Sequence, residues 1–135
     1  MVATILKYIN KIMKSYGKEL VLDIHNCDTS TFTRRSITKY FKELCDLIGM
    51  VRCKLSFWDD CGVPPEEQET EPHLKGTTAV QFIMTSNIVI HTLDLLETVY
   101  VNIFSCNNFD ADTAAKFSAE WFRGEIVNSH VIERK

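Results

Sequence analysis

Apolar positions over residues 2–16 recur at helical spacing: Val2, Ile5, Leu6, Ile9, Ile12, Met13 and Tyr16 share one face, and lysines occupy the other. The pattern predicts an amphipathic helix closed by Gly17, packed on the domain or on a partner subunit, with a membrane surface as the alternative. The period then falls to two. Leu20, Leu22 and Ile24 alternate with polar residues over 19–25 and predict a strand. Asn26-Cys27-Asp28 and the Ser/Thr run after it read as a turn and a helix cap. Helical spacing returns at Ile37, Tyr40, Phe41, Leu44, Leu47 and Ile48, predicting a helix over 34–48 that stops at Gly49. Strands are expected over 50–58, 77–83, 88–92 and 99–104, a helix over 111–122 ending near Gly124, and a last strand over 125–132. Residues 59–75 hold all three prolines and a cluster of acidic residues without periodicity, and read as a loop.

Summarised as β-α-β-β-β-α-β behind an extra helix, this order predicts an α+β two-layer sandwich. A largely antiparallel sheet carries helices on one face. The chain of 135 residues fits an N-terminal helical extension, 1–17, and one domain, 18–135. A domain this small leaves much surface exposed, so a partner subunit would add burial.

Charge and composition narrow the function. A net charge of −3, with basic residues scattered among acidic ones, argues against a nucleic-acid partner. No apolar run approaches the ~18–20 residues a membrane span needs, and lysines interrupt any signal-like segment at the N-terminus. Cys27, Cys45, Cys53, Cys61 and Cys106, an odd number without CxxC spacing, suggest reduced thiols in the cytoplasm, most of them buried fillers.

The four histidines, His25, His73, His91 and His130, show no metal-site spacing, and no metal is expected. Five glycines form no phosphate loop, and no G-x-S-x-G elbow is present. There remain Thr85-Ser86-Asn87, a polar break between β-rich segments, with His91 five residues on and Cys106 after the 99–104 strand. At such a break a backbone carbonyl is open to attack. On residue chemistry alone, a turn serine, a core histidine and a filler cysteine are the commoner readings.

Ile90-His91-Thr92 and Phe104-Ser105-Cys106 carry a resemblance. The stretch resembles the bacterial-type pyruvoyl-dependent S-adenosylmethionine decarboxylases, in which Glu-Ser-His precedes Ile-His-Thr and Phe-Thr-Cys follows at the same spacing. Leu22-Asp23-Ile24-His25-Asn26-Cys27 is similar to the family's first strand and Cys turn, Gly76-Thr77-Thr78 to the start of the strand before the cleavage site, and His130-Val131-Ile132-Glu133-Arg134 to the last strand. The likeness covers roughly residues 18–134.

The resemblance implies a self-processing enzyme of polyamine biosynthesis. Ser86 would attack the carbonyl of Thr85, an N-to-O acyl shift would follow, and β-elimination would leave chains 1–85 and 86–135 with a pyruvoyl group at residue 86. His91 would move the proton in the elimination, and Thr78 would hydrogen-bond the oxyoxazolidine intermediate. The pyruvoyl carbonyl, joined to substrate as a Schiff base, would act as electron sink, and Cys106 would return a proton to the α-carbon. Homodimers of processed protomers are implied.

The chain departs from the family at Thr85 and Asn87, where Glu and His are usual, and at Leu93-Asp94-Leu95, where the family places the Glu that holds the ribose. Phe57 or Trp58 would provide the aromatic platform, and Asp60 and Glu97 stand as further substrate-binding candidates. The acidic loop also suits a substrate with a distal cation, making an ornithine or arginine decarboxylase the alternative. An unprocessed regulatory relative is a third reading.

Overall fold

The computed structural model describes residues 1–13 and 15–135, with side chains outside 9–14. Strand β1, Gly17–His25, shows why the sheet forms. Leu20, Leu22 and Ile24 are fully buried while the residues between them face outward. The same alternation runs through β3, Gly76–Ile83, β4, Ser86–Leu93, and β5, Thr98–Ser105. With β2, Arg52–Trp58, and β6, Glu125–Arg134, they make a six-stranded sheet in the order β2-β3-β4-β5-β1-β6. Every neighbouring pair is antiparallel.

Helix α2 spans Arg34–Ile48 and α3 spans Ala111–Phe122. Thr33 caps α2, its hydroxyl accepting from the Ser36 N–H at 3.2 Å, and Gly49 closes it in the left-handed conformation at φ 75°. Asp110 caps α3 by accepting from the Thr113 N–H. Ile37, Tyr40, Phe41, Leu44 and Cys45 of α2 join Ala114, Ala115 and Phe122 of α3 over the buried row of the sheet. Within this core the Tyr40 hydroxyl lies 2.7 Å from the Ser118 hydroxyl, which donates to the Ala114 carbonyl, so no buried polar group is stranded.

The α+β sandwich is therefore as the pattern predicts, and the helices lie on one face. Four strands separate α2 from α3, as the four expected segments have it and one more than the summary order counts, and those flanking Thr85 pair as the distinct strands β3 and β4. Their turn is Met84-Thr85, and β4 already begins at Ser86. The loop 59–75 holds one short 3-10 turn, Pro65–Glu67. Helix α1 spans Val2–Met13, short of Gly17, which instead begins β1. Val2, Ile5 and Leu6 are exposed, so this part of its apolar face does not pack on the domain; the side chains of Ile9, Ile12 and Met13 lie outside those described. Only Cys27 and Cys45 are buried, whereas Cys53, Cys61 and Cys106 are exposed; the expectation that most cysteines are fillers is overturned. Among the described residues no helix is long and apolar enough to cross a membrane.

Since both packed helices cover one face, the other face of the sheet is open. It presents Val21, Val80 and Val89, half-buried, together with Trp58, Phe82, Tyr100 and Ile132, all exposed.

Candidate active site

The residues singled out from sequence separate into two groups at opposite ends of the sheet. The first surrounds the β3–β4 turn. Ser86 is paired with Ser105 of β5, which brings the Phe104-Ser105-Cys106 segment alongside. Ser86 has φ 147°, a value that residues with a side chain rarely adopt. Such a backbone stores of order 1–3 kcal/mol when the surroundings enforce it. Here the enforcement is visible. The Thr85 carbonyl accepts the Cys106 N–H at 3.1 Å, and the Thr85 hydroxyl lies 2.7 Å from that of Ser105. Both hydroxyls approach the Met50 sulfur, at 3.5 and 3.4 Å. The Asn87 amide donates to the Ser86 hydroxyl oxygen at 2.9 Å. The bond between Thr85 and Ser86 thus joins a polarised carbonyl to a serine whose own hydroxyl is held in place. Cys106 is exposed beside it, on a cavity of ≈ 180 Å³ that Tyr16, Gly17, Lys18 and Glu133 also line.

The second group stands on the open face. Cross-strand register aligns Trp58, Thr78, His91, Tyr100, Asp23 and Asn128 in one row across all six strands. Neighbours in such a row are within side-chain reach. The Thr78 hydroxyl lies 2.8 Å from His91 Nδ1, and the Tyr100 ring stacks on the imidazole at 6.4 Å between centroids. Trp58, 84% exposed, and His91 line a cavity of ≈ 360 Å³ with Asp60, Glu69 and His73 from the acidic loop. Phe57 does not line it; its half-buried ring packs under the Arg34 guanidinium at 5.1 Å. Glu97 is also elsewhere, exposed in the β4–β5 turn with φ 50° and its carbonyl accepting the Cys27 N–H.

Two loop carboxylates near this cavity are compensated within the chain. Arg34 donates to both Asp59 oxygens at 2.8 and 2.7 Å and holds that carboxyl below the usual range. Lys75 donates to Asp60 at 3.3 Å, and the same carboxylate accepts the Glu69 N–H. Asp94 differs: burial, aided by nearby Asp60 and Asp59 against Lys75, pushes its carboxyl up.

Ser86 and His91 are five residues apart on one extended strand, about 16 Å at ~3.3 Å per residue. One chain therefore does not bring the imidazole to the serine, whereas it does bring Cys106 there. Sequence spacing gave Ser86, His91 and Cys106 but not this division, which depends on strand register. It also left out Asn87 as a donor, the Cys106 N–H, Tyr100, Glu69 and His73. A loop without periodicity offers no signal for the last two. A concavity of ≈ 490 Å³ between α2 and α3, with Arg35, Lys39 and Trp121 among its walls, is on the helical layer, away from both groups. Among the described residues no His, Cys, Asp and Glu cluster is arranged to hold a metal ion.

Comparison with known proteins bears on this arrangement. No curated protein matches the chain in sequence. In structure it is similar to the adenosylmethionine decarboxylase from Aquifex aeolicus VF5, with a TM-score of 0.70 at 18% identity, over 90% of this chain and 92% of that one. That likeness supports the fold. A family model described as S-adenosylmethionine decarboxylase matches residues 18–135, which contain the six strands but for Gly17, both packed helices, and Ser86, His91 and Cys106. On the strength of that match, the chain belongs to the S-adenosylmethionine decarboxylase family.

Proposed function

We propose that the protein is a self-processing, pyruvoyl-dependent decarboxylase acting on S-adenosylmethionine in polyamine biosynthesis, and that it works as a homodimer. The observation that carries this reading is the state of the Thr85–Ser86 bond. Its serine has φ 147° and its carbonyl is bound by the Cys106 N–H. Attack by the Ser86 hydroxyl oxygen on the Thr85 carbonyl carbon replaces the strained amide with an ester and frees the nitrogen as an amine. Removal of the Ser86 Cα proton then breaks the Cβ–Oγ bond, and the electron pair leaves on the Thr85 carboxylate. Water releases ammonia from the new terminus and leaves a pyruvoyl group.

The residues present fit that group, since Ser86 opens β4 and its cross-strand partner Ser105 lines a cavity together with the exposed Cys106. When formed, the pyruvoyl carbonyl supplies a sink for the electrons of the departing carboxylate. Cys106, whose N–H binds the Thr85 carbonyl and whose side chain is exposed, would return a proton to the substrate α-carbon.

The Thr78–His91 pair acts, in this reading, on the serine of a second copy. Two sheets meeting open face to open face about a two-fold axis would set the Trp58–His91 end of each against the Ser86 end of the other. Such a contact would also cover Phe82, Tyr100 and Ile132. Trp58 then offers a face for the adenine or sulfonium. At Asp59 or Asp60 a distal ammonium or guanidinium would have to displace Arg34 or Lys75. The pairing of those two carboxylates weakens the case for ornithine or arginine at these positions.

Release of labelled CO2 tests the reading. Wild-type protein is expected to release it from carboxyl-labelled S-adenosylmethionine, and Ser86→Ala is not. Release from ornithine or arginine instead, or from none of the three, would overturn it.

A further inference from the structure

The geometry points to Asn87 and the Cys106 backbone N–H as a two-donor cradle for the carboxylate that leaves during self-cleavage. The inference rests on the processing reading above and assigns a catalytic role to a side chain that this reading does not use.

Two hydrogen bonds mark the site. The Cys106 N–H donates to the Thr85 carbonyl oxygen at 3.1 Å, and Asn87 Nδ2 donates to Ser86 Oγ at 2.9 Å. These two oxygens have one chemical future. Once Oγ bonds the Thr85 carbonyl carbon and the C–N bond breaks, they are the two oxygens of an ester. Once the Cα proton is removed and Cβ–Oγ breaks, they are the two oxygens of the Thr85 carboxylate. A donor therefore already stands on each atom where negative charge develops. Preorganised donors of this kind act most strongly where charge appears, because no reorganisation is needed at the moment of reaction.

The order of action follows from which atom is charged. During attack, charge rises on the Thr85 carbonyl oxygen and the Cys106 N–H carries it. During elimination, charge rises on Oγ as well and the Asn87 amide carries it. The side chain is held for this purpose. In the row across the sheet Asn87 lies between Phe82 and Phe104, and its amide makes no other hydrogen bond among the described residues. Its loss should slow the second step more than the first, so the ester should accumulate.

The test follows splitting of freshly folded full-length chain by intact mass, with and without hydroxylamine, which cuts the ester at residue 85. Wild type should split without detectable ester. Asn87→Ala and Asn87→Asp, both without the donor, should split about a hundredfold more slowly while a hydroxylamine-sensitive ester builds up. Asn87→His, which keeps an N–H donor, should split within tenfold of wild type and shows whether the position tolerates change. Ala and Asp variants that split at the wild-type rate, or that slow without accumulating ester, would overturn the cradle and leave self-processing intact. A wild-type chain that never splits would overturn both.

Discussion

Cys106 contributes to the site twice, through its backbone and through its thiol, and the two can be separated. Its N–H binds the Thr85 carbonyl, and its side chain is exposed beside residue 86. Cys106→Ala keeps the N–H and removes the thiol. Splitting of the chain should therefore continue within a few-fold of wild type, while CO2 release falls about a hundredfold or more, the usual worth of a positioned proton donor. Asp94 makes a second residue-scale prediction. Its folded pKa is raised by burial, so the folded state prefers the protonated form, and stability is lost as the pH rises through the ordinary carboxylate value and above it. Asp94→Asn should raise the melting temperature at pH 7 by a few degrees and change it little at pH 3. The contrast with Asp59 is instructive, since its pKa is lowered by Arg34 and its contribution is instead lost as the pH falls through that lowered value. At this scale the candidate residues Ser86, His91 and Cys106 could be named from the sequence. The donors were not, because a backbone N–H and an asparagine on one face of a strand leave no pattern.

At the scale of elements, the alternation in β1 and β3–β5 and the helical spacing of α2 and α3 gave every packed element to within a few residues. The boundaries of α2 and α3 agree closely, because Thr33, Asp110 and Gly49 are strong local caps. The β3–β4 turn was harder. A polar triplet suggested a break at 85–87, but pairing of Ile83 with Ser86 confines the turn to two residues and leaves Ser86 in the strand. That two-residue difference places the positive φ of Ser86 at the start of the strand, next to the Thr85 carbonyl. Cross-strand register also explains Gly76. A Cβ there would collide with the Thr92 carbonyl on the neighbouring strand, next to the Thr78–His91 pair. Gly76→Ala should cost roughly 1–3 kcal/mol, as overpacking does, measured by urea denaturation. Gly49→Ala meets no neighbour and should show only the milder cost of its φ of 75°.

At the scale of the whole molecule, an antiparallel sheet with one bare face places Ser86 and the His91 imidazole at opposite ends. No reading of residue spacing reveals this, since five residues look close in sequence and lie about 16 Å apart in a strand. In the proposed dimer a second copy would close the separation, and a mixture tests it. A Ser86→Ala chain cannot split, and a His91→Ala chain should split poorly alone. In mixed dimers the His91→Ala chain receives an intact imidazole from its Ser86→Ala partner, so it alone should split, at a rate approaching wild type. Failure of the mixture to restore splitting would show that each chain completes its own site or that the pairing is different. Helix α1 and loop 59–75 remain outside this argument, although the loop lends Glu69 and His73 to the cavity beside His91.

All of this depends on whether Ser86 rearranges its own peptide bond, and the mass of the purified protein reports that directly. The account predicts two fragments, residues 1–85 with an ordinary carboxyl end and residues 86–135 with a mass showing a ketone in place of the serine amine and hydroxyl. A single intact chain of 135 residues, unchanged on prolonged incubation, would contradict it.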